Sequence, residues 1–226
     1  LIAYFPDSAA LARALPFALF IAALAVRGAI GPDVGAPFDT RWLYATQVLF
    51  ASAALFWYWR RYGELRHRAA RLDHGLMACL AGVAVFALWI SLTAPWMRLS
   101  EPVASFVPTT TEGTLRWDLV ALRAAGAVIV VPLMEELFWR SFLMRWIDKR
   151  EFVSLSPHKI SGFALVASSA VFALAHDLWL AGFIAGLVYG TLYRLTANLW
   201  YPIGAHALTN LLLAAWVLHG EHWSFW

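Results

Sequence analysis

The chain has 226 residues, 62% of them apolar and 14% charged, far below the roughly 25% charge of a soluble domain, so composition excludes an ordinary soluble fold and implies a membrane protein. The formal charge of +3 comes from Arg and Lys placed between apolar stretches; no compact basic domain exists, and no nucleic-acid partner is expected. A single cysteine, Cys79, excludes an internal disulfide and a soft-metal cluster, and its apolar surroundings mark it as a packing residue. Thirteen Trp and seven Tyr suit the headgroup level of a bilayer.

A spanning helix needs roughly 20 predominantly apolar residues. The first predicted span covers residues 11–30; the preceding Tyr4-Phe5-Pro6-Asp7 leads into it without a small-residue cleavage pattern, so it reads as a helix and not a cleaved signal. Residues 31–41 form a loop with Pro and Gly, and residues 42–59 a second span. Residues 60–74 then carry Arg60, Arg61, Arg66, Arg68 and Arg71 against Glu64 and Asp73. Such cation-rich short loops stay in the cytoplasm.

The third span, residues 75–94, is closed by Pro95 and followed by a longer connection, 96–116, expected on the non-cytoplasmic side. Residues 117–147 form a fourth helical region, and Pro132 predicts a kink or break just before Met134 because proline lacks an amide donor and collides with the preceding turn. The loop 148–159 is basic at Lys149, Arg150 and Lys159 and is again cytoplasmic. Residues 161–176, 180–195 and 199–218 complete the set.

The expected fold is therefore an all-α polytopic transmembrane bundle of about seven spans, within six to eight, around a polar intramembrane cavity. Residues 1–226 read as one integral membrane domain. In the sixth span Gly182, Gly186 and Gly190 share a face and permit close helix contact; a substrate groove is the lesser alternative.

Ionisable residues within apolar helices are costly and face protein interiors or wet cavities. Three places hold them: Glu135, Glu136 and Arg140; His176 and Asp177; His206 and Asn210. Glu136 and Arg140 stand four apart on one face and can pair. Glu135 points about 100° away and is left free. His206 and Asn210 share a face, as do Phe172 and His176, which makes Phe172 a wall for the imidazole. At 1.5 Å per residue, Glu135 lies about 18 Å from one end of its helix, His176 about 21 Å and His206 about 10 Å from ends on the same side. The levels overlap enough for one cavity.

A carboxylate beside a neutral imidazole can orient and deprotonate water. An imidazole N–H and an amide N–H together can receive the oxyanion of a tetrahedral intermediate. This assigns Glu135 and His176 to water and His206 and Asn210 to the oxyanion. Zinc held by Glu135, His176 and His206 is the competing arrangement, since Glu with two His leaves an open position for water.

The segments Glu135-Glu136-Leu137-Phe138-Trp139-Arg140, Phe172-Ala173-Leu174-Ala175-His176 and His206-Ala207-Leu208-Thr209-Asn210 match the patterns EExxxR, FxxxH and HxxxN. In this order, on hydrophobic helices, the chain resembles the CAAX protease and bacteriocin-processing family over roughly residues 120–218. The resemblance implies an intramembrane endopeptidase in which Glu135 activates water with help from His176, His206 and Asn210 form the oxyanion site, and Glu136 and Arg140 support the first carboxylate. It leaves metal use open. It further implies a membrane-associated protein or peptide substrate, a bacterial inner-membrane location, and similarity to members associated with exosortase systems. A non-catalytic scaffold or immunity protein is the alternative, and a transporter the weaker one.

Outside the motifs, Asp177 is assigned a helix-end or loop role, Arg123 a snorkelling or headgroup role, and His219 to Trp226 surface anchoring through Trp223 and Trp226.

Overall fold

Residues 8–30, 38–66 and 71–226 are described by the computed structural model of the chain. The expectations for residues 4–7, for most of the first loop and for Arg68 lie outside them. The helices are α1 Ala9–Ile30, α2 Leu43–Trp57, α3 Leu72–Ser91, α4 Trp117–Asp148, α5 Gly162–Leu174, α6 Trp179–Thr196 and α7 Trp200–Gly220. The fold is all-α; the described residues contain no strand beyond an isolated bridge between Thr109 and Leu115.

Four of these helices, α1, α3, α4 and α7, are long and apolar enough to cross a membrane, which supports an integral membrane protein. This corrects the expectation of about seven spans. Helix α2 has 15 residues and α5 has 13; at 1.5 Å per residue these reach only about 20 Å, short of a hydrocarbon core of roughly 30 Å. Helix α6 has 18 residues, but its glycines, Tyr189, Tyr193 and Arg194 dilute its apolar character. Apolar runs in the sequence continue through turns that end the helices: α2 gives way to a 3₁₀ turn at Trp59–Arg61, and α5 ends before His176.

Helix α4 runs through Pro132 without the expected break. It contains two wider π turns, Gly126–Val130 and Leu137–Leu143, and the Val131 N–H reaches back to the Gly126 carbonyl. The wider turn makes room for the proline ring, which would otherwise strike the turn before it.

Close helix contacts hold α4 among its neighbours. A Cβ at Gly126 would strike the Tyr44 ring of α2, and one at Gly82 of α3 would lie 2.7 Å from the Ala205 carbonyl oxygen of α7. On α6, Gly182 lies against Ala173 and His176, Gly186 against Ser169 and Gly190 against Leu165. The glycine stripe thus serves the contact with α5. Cys79 is exposed on α3, contrary to its expected packing role, because its face of the helix meets no neighbour.

Loop contacts define two ends of the bundle. At one end, Arg71 N–H donates to the Tyr201 hydroxyl (2.7 Å) and the Trp200 indole to the Leu65 carbonyl (3.0 Å). Asp148 there accepts the N–H and hydroxyl of Ser161 (2.6 and 2.7 Å), tying the end of α4 to the start of α5. At the other end, Leu99 N–H donates to the Asp177 carbonyl (2.8 Å), the Trp179 indole to the Trp96 carbonyl (3.0 Å) and the Ser105 hydroxyl to the Trp226 carbonyl (3.0 Å).

Candidate active site

A cavity of about 230 Å³ opens between α3, α4, α5, α6 and α7, and Glu135, His176, His206 and Asn210 all line it. The α4 wall is a stripe of every fourth residue, Arg123, Ala127, Val131 and Glu135, which helical periodicity places along one face. Phe172, Tyr189 and Thr209 complete the inner wall.

Glu136 and Arg140 lie behind this wall. The Arg140 Nε is 3.1 Å from Glu136 Oε2, and the two side chains are almost fully buried. The other Glu136 oxygen is 3.0 Å from His206 Nδ1, so one carboxylate braces both its own helix and α7. The Arg140 guanidinium also lies over the rings of Phe172 and Tyr189, with centroids at 4.5 and 5.4 Å; such stacking compensates partly for lost water. Glu135 is buried too, yet its Oε2 has no hydrogen-bond partner. A buried carboxylate oxygen without a donor is costly.

Proton accounting narrows the imidazole roles. The His176 Nδ1 lies 2.8 Å from the Phe172 carbonyl, which can only accept, so Nδ1 carries the proton and Nε2 keeps its lone pair. Its ring packs on Phe172 (4.5 Å) and edge-on to Trp89 (5.4 Å). For His206, the Nδ1 is committed to Glu136. Its Nε2 can donate only if the proton shared with Glu136 sits on the carboxylate or the ring is imidazolium. Asn210 Nδ2 donates to the Ala127 carbonyl (2.7 Å), leaving one N–H and the amide oxygen for other partners.

Tyr189 and Thr209 were not singled out by motif. The Tyr189 ring stacks on His206 at 5.2 Å and 19°, and its hydroxyl meets that of Thr209 at 2.7 Å. Thr209 directs its single proton to the Gly82 carbonyl (2.8 Å) or the Ala205 carbonyl (3.1 Å), so Tyr189 is the donor between the two. Thr209 lies within the HxxxN segment, but a tyrosine on a glycine-rich helix reads as ordinary core.

Other expectations need correction. Trp226 is buried and packs edge-on against Phe106 at 6.2 Å, and it lines the cavity with Phe225; it is not a surface anchor, because the chain folds back after α7. Arg123 lies over the Tyr44 ring at 4.6 Å and lines the cavity, so it points inward. Asp177 accepts from the Ser100 hydroxyl at 2.8 Å, in keeping with a loop role. Among the described residues no three His, Cys, Asp or Glu side chains are grouped to hold a metal ion. Glu135, His176 and His206 line one cavity without forming such a group.

The family model described as Type II CAAX prenyl endopeptidase Rce1-like matches residues 117–212. The matched part holds α4 to most of α7, including all three motif segments. It supports an intramembrane-protease-like fold and a peptidase-like enzyme class. No curated protein and no solved structure matches the chain.

Proposed function

We propose that this protein is an intramembrane endopeptidase that cleaves a membrane-associated protein or peptide with water activated by Glu135. The observation that carries the reading is the division between two adjacent carboxylates. Glu136 is in ion-pair contact with Arg140 and His206, whereas Glu135 makes no ion pair among the described residues and lines a cavity with His176, His206 and Asn210; the Oε2 atoms of both carboxylates lack a hydrogen-bond donor.

In the proposed step, Glu135 takes a proton from water, whose oxygen bonds to the scissile carbonyl carbon as the C=O pair moves onto oxygen. The lone pair at His176 Nε2 accepts a hydrogen bond from that water and orients it. The remaining Asn210 N–H receives the oxyanion, joined by His206 Nε2 when that atom carries a proton. Collapse breaks the C–N bond, and the proton on Glu135 passes to the departing amine. Glu136, Arg140 and Phe172 hold these groups in place. The cation-rich loops 60–74 and 148–159 lie on the cytoplasmic side under this reading.

The test is reconstitution in lipid with a panel of membrane-bound peptides, comparing native protein and Glu135→Gln with and without a chelator. The expected result is chelator-resistant cleavage lost in the variant. Binding of a defined partner without cleavage of any peptide would instead favour a scaffold, and cleavage abolished by the chelator would overturn the metal-free step.

A further inference from the structure

The cavity holding Glu135 does not end at His176. It shares Trp89, Arg123, His176, Phe225 and Trp226 with a second cavity of about 370 Å³, whose rim is formed by Arg98, Ser100, Glu101 and Asp177. Ser100, Glu101 and Asp177 are exposed. The two cavities therefore adjoin and lie in series from Glu135 toward the surface at the end of the bundle that carries residues 92–116, the α5–α6 turn and residues 221–226.

Toward the opposite end the way is filled. Below Glu135 on α4, Glu136, Arg140, Ser141, Met144 and Arg145 are all buried. The Arg13 guanidinium, 1% exposed, meets both Glu64 oxygens at 2.7 and 2.6 Å, and Ser141 also donates to Glu64. Arg145 continues this layer to the carbonyls of Leu155 and Val153 at 3.1 and 2.8 Å. The plugged end is the one whose loops bear Arg60, Arg61, Arg66, Arg71, Lys149, Arg150 and Lys159, whereas the loops at the open end bear Arg41, Arg98 and Arg116. Such asymmetry retains the first end in the cytoplasm.

We infer that the cavity admits its substrate from the non-cytoplasmic face, so that the substrate class is a membrane-associated polypeptide presenting its scissile bond on that side. The inference rests on the peptidase reading for the cleavage it describes, but the entry side stands on the cavity and the charge asymmetry. The rim suits a peptide: Arg98, Glu101 and Asp177 offer charges of both signs to a polar backbone, and Trp89, Phe225 and Trp226 offer apolar faces further in. A segment anchored in the cytoplasmic leaflet would have to pass the Arg140 and Arg13 layers, where several buried ion pairs would be broken.

The test uses the full chain in a Cys79→Ser background with Ser100→Cys at the rim, Ala127→Cys in the inner cavity and Ser154→Cys at the plugged end. Right-side-out and inverted membrane vesicles are treated with a small, charged, membrane-impermeant thiol reagent. We expect Ser100→Cys and Ala127→Cys to be modified only in right-side-out vesicles and Ser154→Cys only in inverted ones. Modification of Ala127→Cys from the inverted side alone, or of Ser154→Cys from outside, would overturn the entry side. A soluble peptide panel added to the same vesicles should show Glu135-dependent cleavage in the right-side-out preparation and its loss in the inverted one; the reverse pattern overturns the inference. Absence of cleavage in both, with the labelling pattern as expected, counts against the peptidase reading while supporting the entry side.

Discussion

The carboxylate of Glu136 lies 3.0 Å from Nδ1 of His206 and 3.1 Å from Nε of Arg140, so a single buried acid joins α4 and α7, two of the three helices that carry the motif segments. Its neighbour Glu135 has no such attachment on Oε2. Substituting the two should separate fold from chemistry. Glu136→Gln leaves the buried Arg140 charge without its partner and is expected to cost about 3–5 kcal/mol, seen as a lower unfolding midpoint in detergent. Glu135→Gln removes no ion pair, and we expect its midpoint to stay close to that of the native protein while cleavage falls by about 10²–10⁴-fold.

Tyr189 tests how much the ring stack matters. Removing only the hydroxyl in Tyr189→Phe breaks the bond to Thr209 at a cost of about 1 kcal/mol, while the stacked ring remains against His206. Tyr189→Leu also removes the stack and the face beneath Arg140. Turnover should therefore fall further in Tyr189→Leu than in Tyr189→Phe, with the difference read in kcat rather than KM. Equal turnover in the two variants would show that the ring does not position His206.

The α3–α7 contact predicts opposite outcomes for two glycines. Gly82→Ala would bring a methyl to 2.7 Å from the Ala205 carbonyl oxygen, and overpacking of this kind costs about 1–3 kcal/mol. Gly204 has nothing within 4 Å of its would-be Cβ and sits inside α7, where alanine is favoured over glycine by about 0.5–1 kcal/mol. Thermal unfolding in detergent should order the proteins Gly204→Ala, native, Gly82→Ala from most to least stable.

Acid should weaken the plugged end through Glu64, which lies outside the four candidate spans. Burial pushes its carboxyl up, but the hydrogen bonds and charge of Arg13 together with the Ser141 hydroxyl outweigh this, and the net result lies below the usual carboxylate value. A carboxyl depressed on folding contributes stability that is complete above its unfolded value, about 4.3, and is lost as pH falls through the lower folded value. Stability measured against pH should fall below about pH 4.3 in the native protein, and Glu64→Gln should remove that component of the slope. An unchanged slope in the variant would exclude Glu64 as its source.

Much of the site could be read from order and spacing. Glu136 and Arg140 four apart dictate a pair on one helical face, and Phe172 and His176 dictate a ring packed on its own preceding turn; both contacts exist at 3.1 and 4.5 Å. The helical nature of the fold follows from apolar runs that must satisfy their own backbone groups. The number of spans did not follow, because an apolar run does not disclose where a turn ends its helix, as at Trp59 and Ala175. Nor did the positions of Trp226 and Arg123, whose aromatic or long apolar parts suit either lipid or a protein wall.

By itself, then, the sequence determined an apolar helical chain, the local partnerships within each helix and the short list of polar residues too costly to leave facing lipid. Tertiary structure alone decided that Glu136 reaches His206 across 70 residues of chain, that the Tyr189 ring packs against both that imidazole and Arg140, and that the space beside Glu135 opens toward one end of the bundle. Spacing along a helix specifies which side chains share a face. Which face meets which helix depends on how closely backbones pack, and here that is decided by contacts such as Gly186 with Ser169 on the preceding helix and Gly82 with Ala205, whose partners lie far apart in the chain.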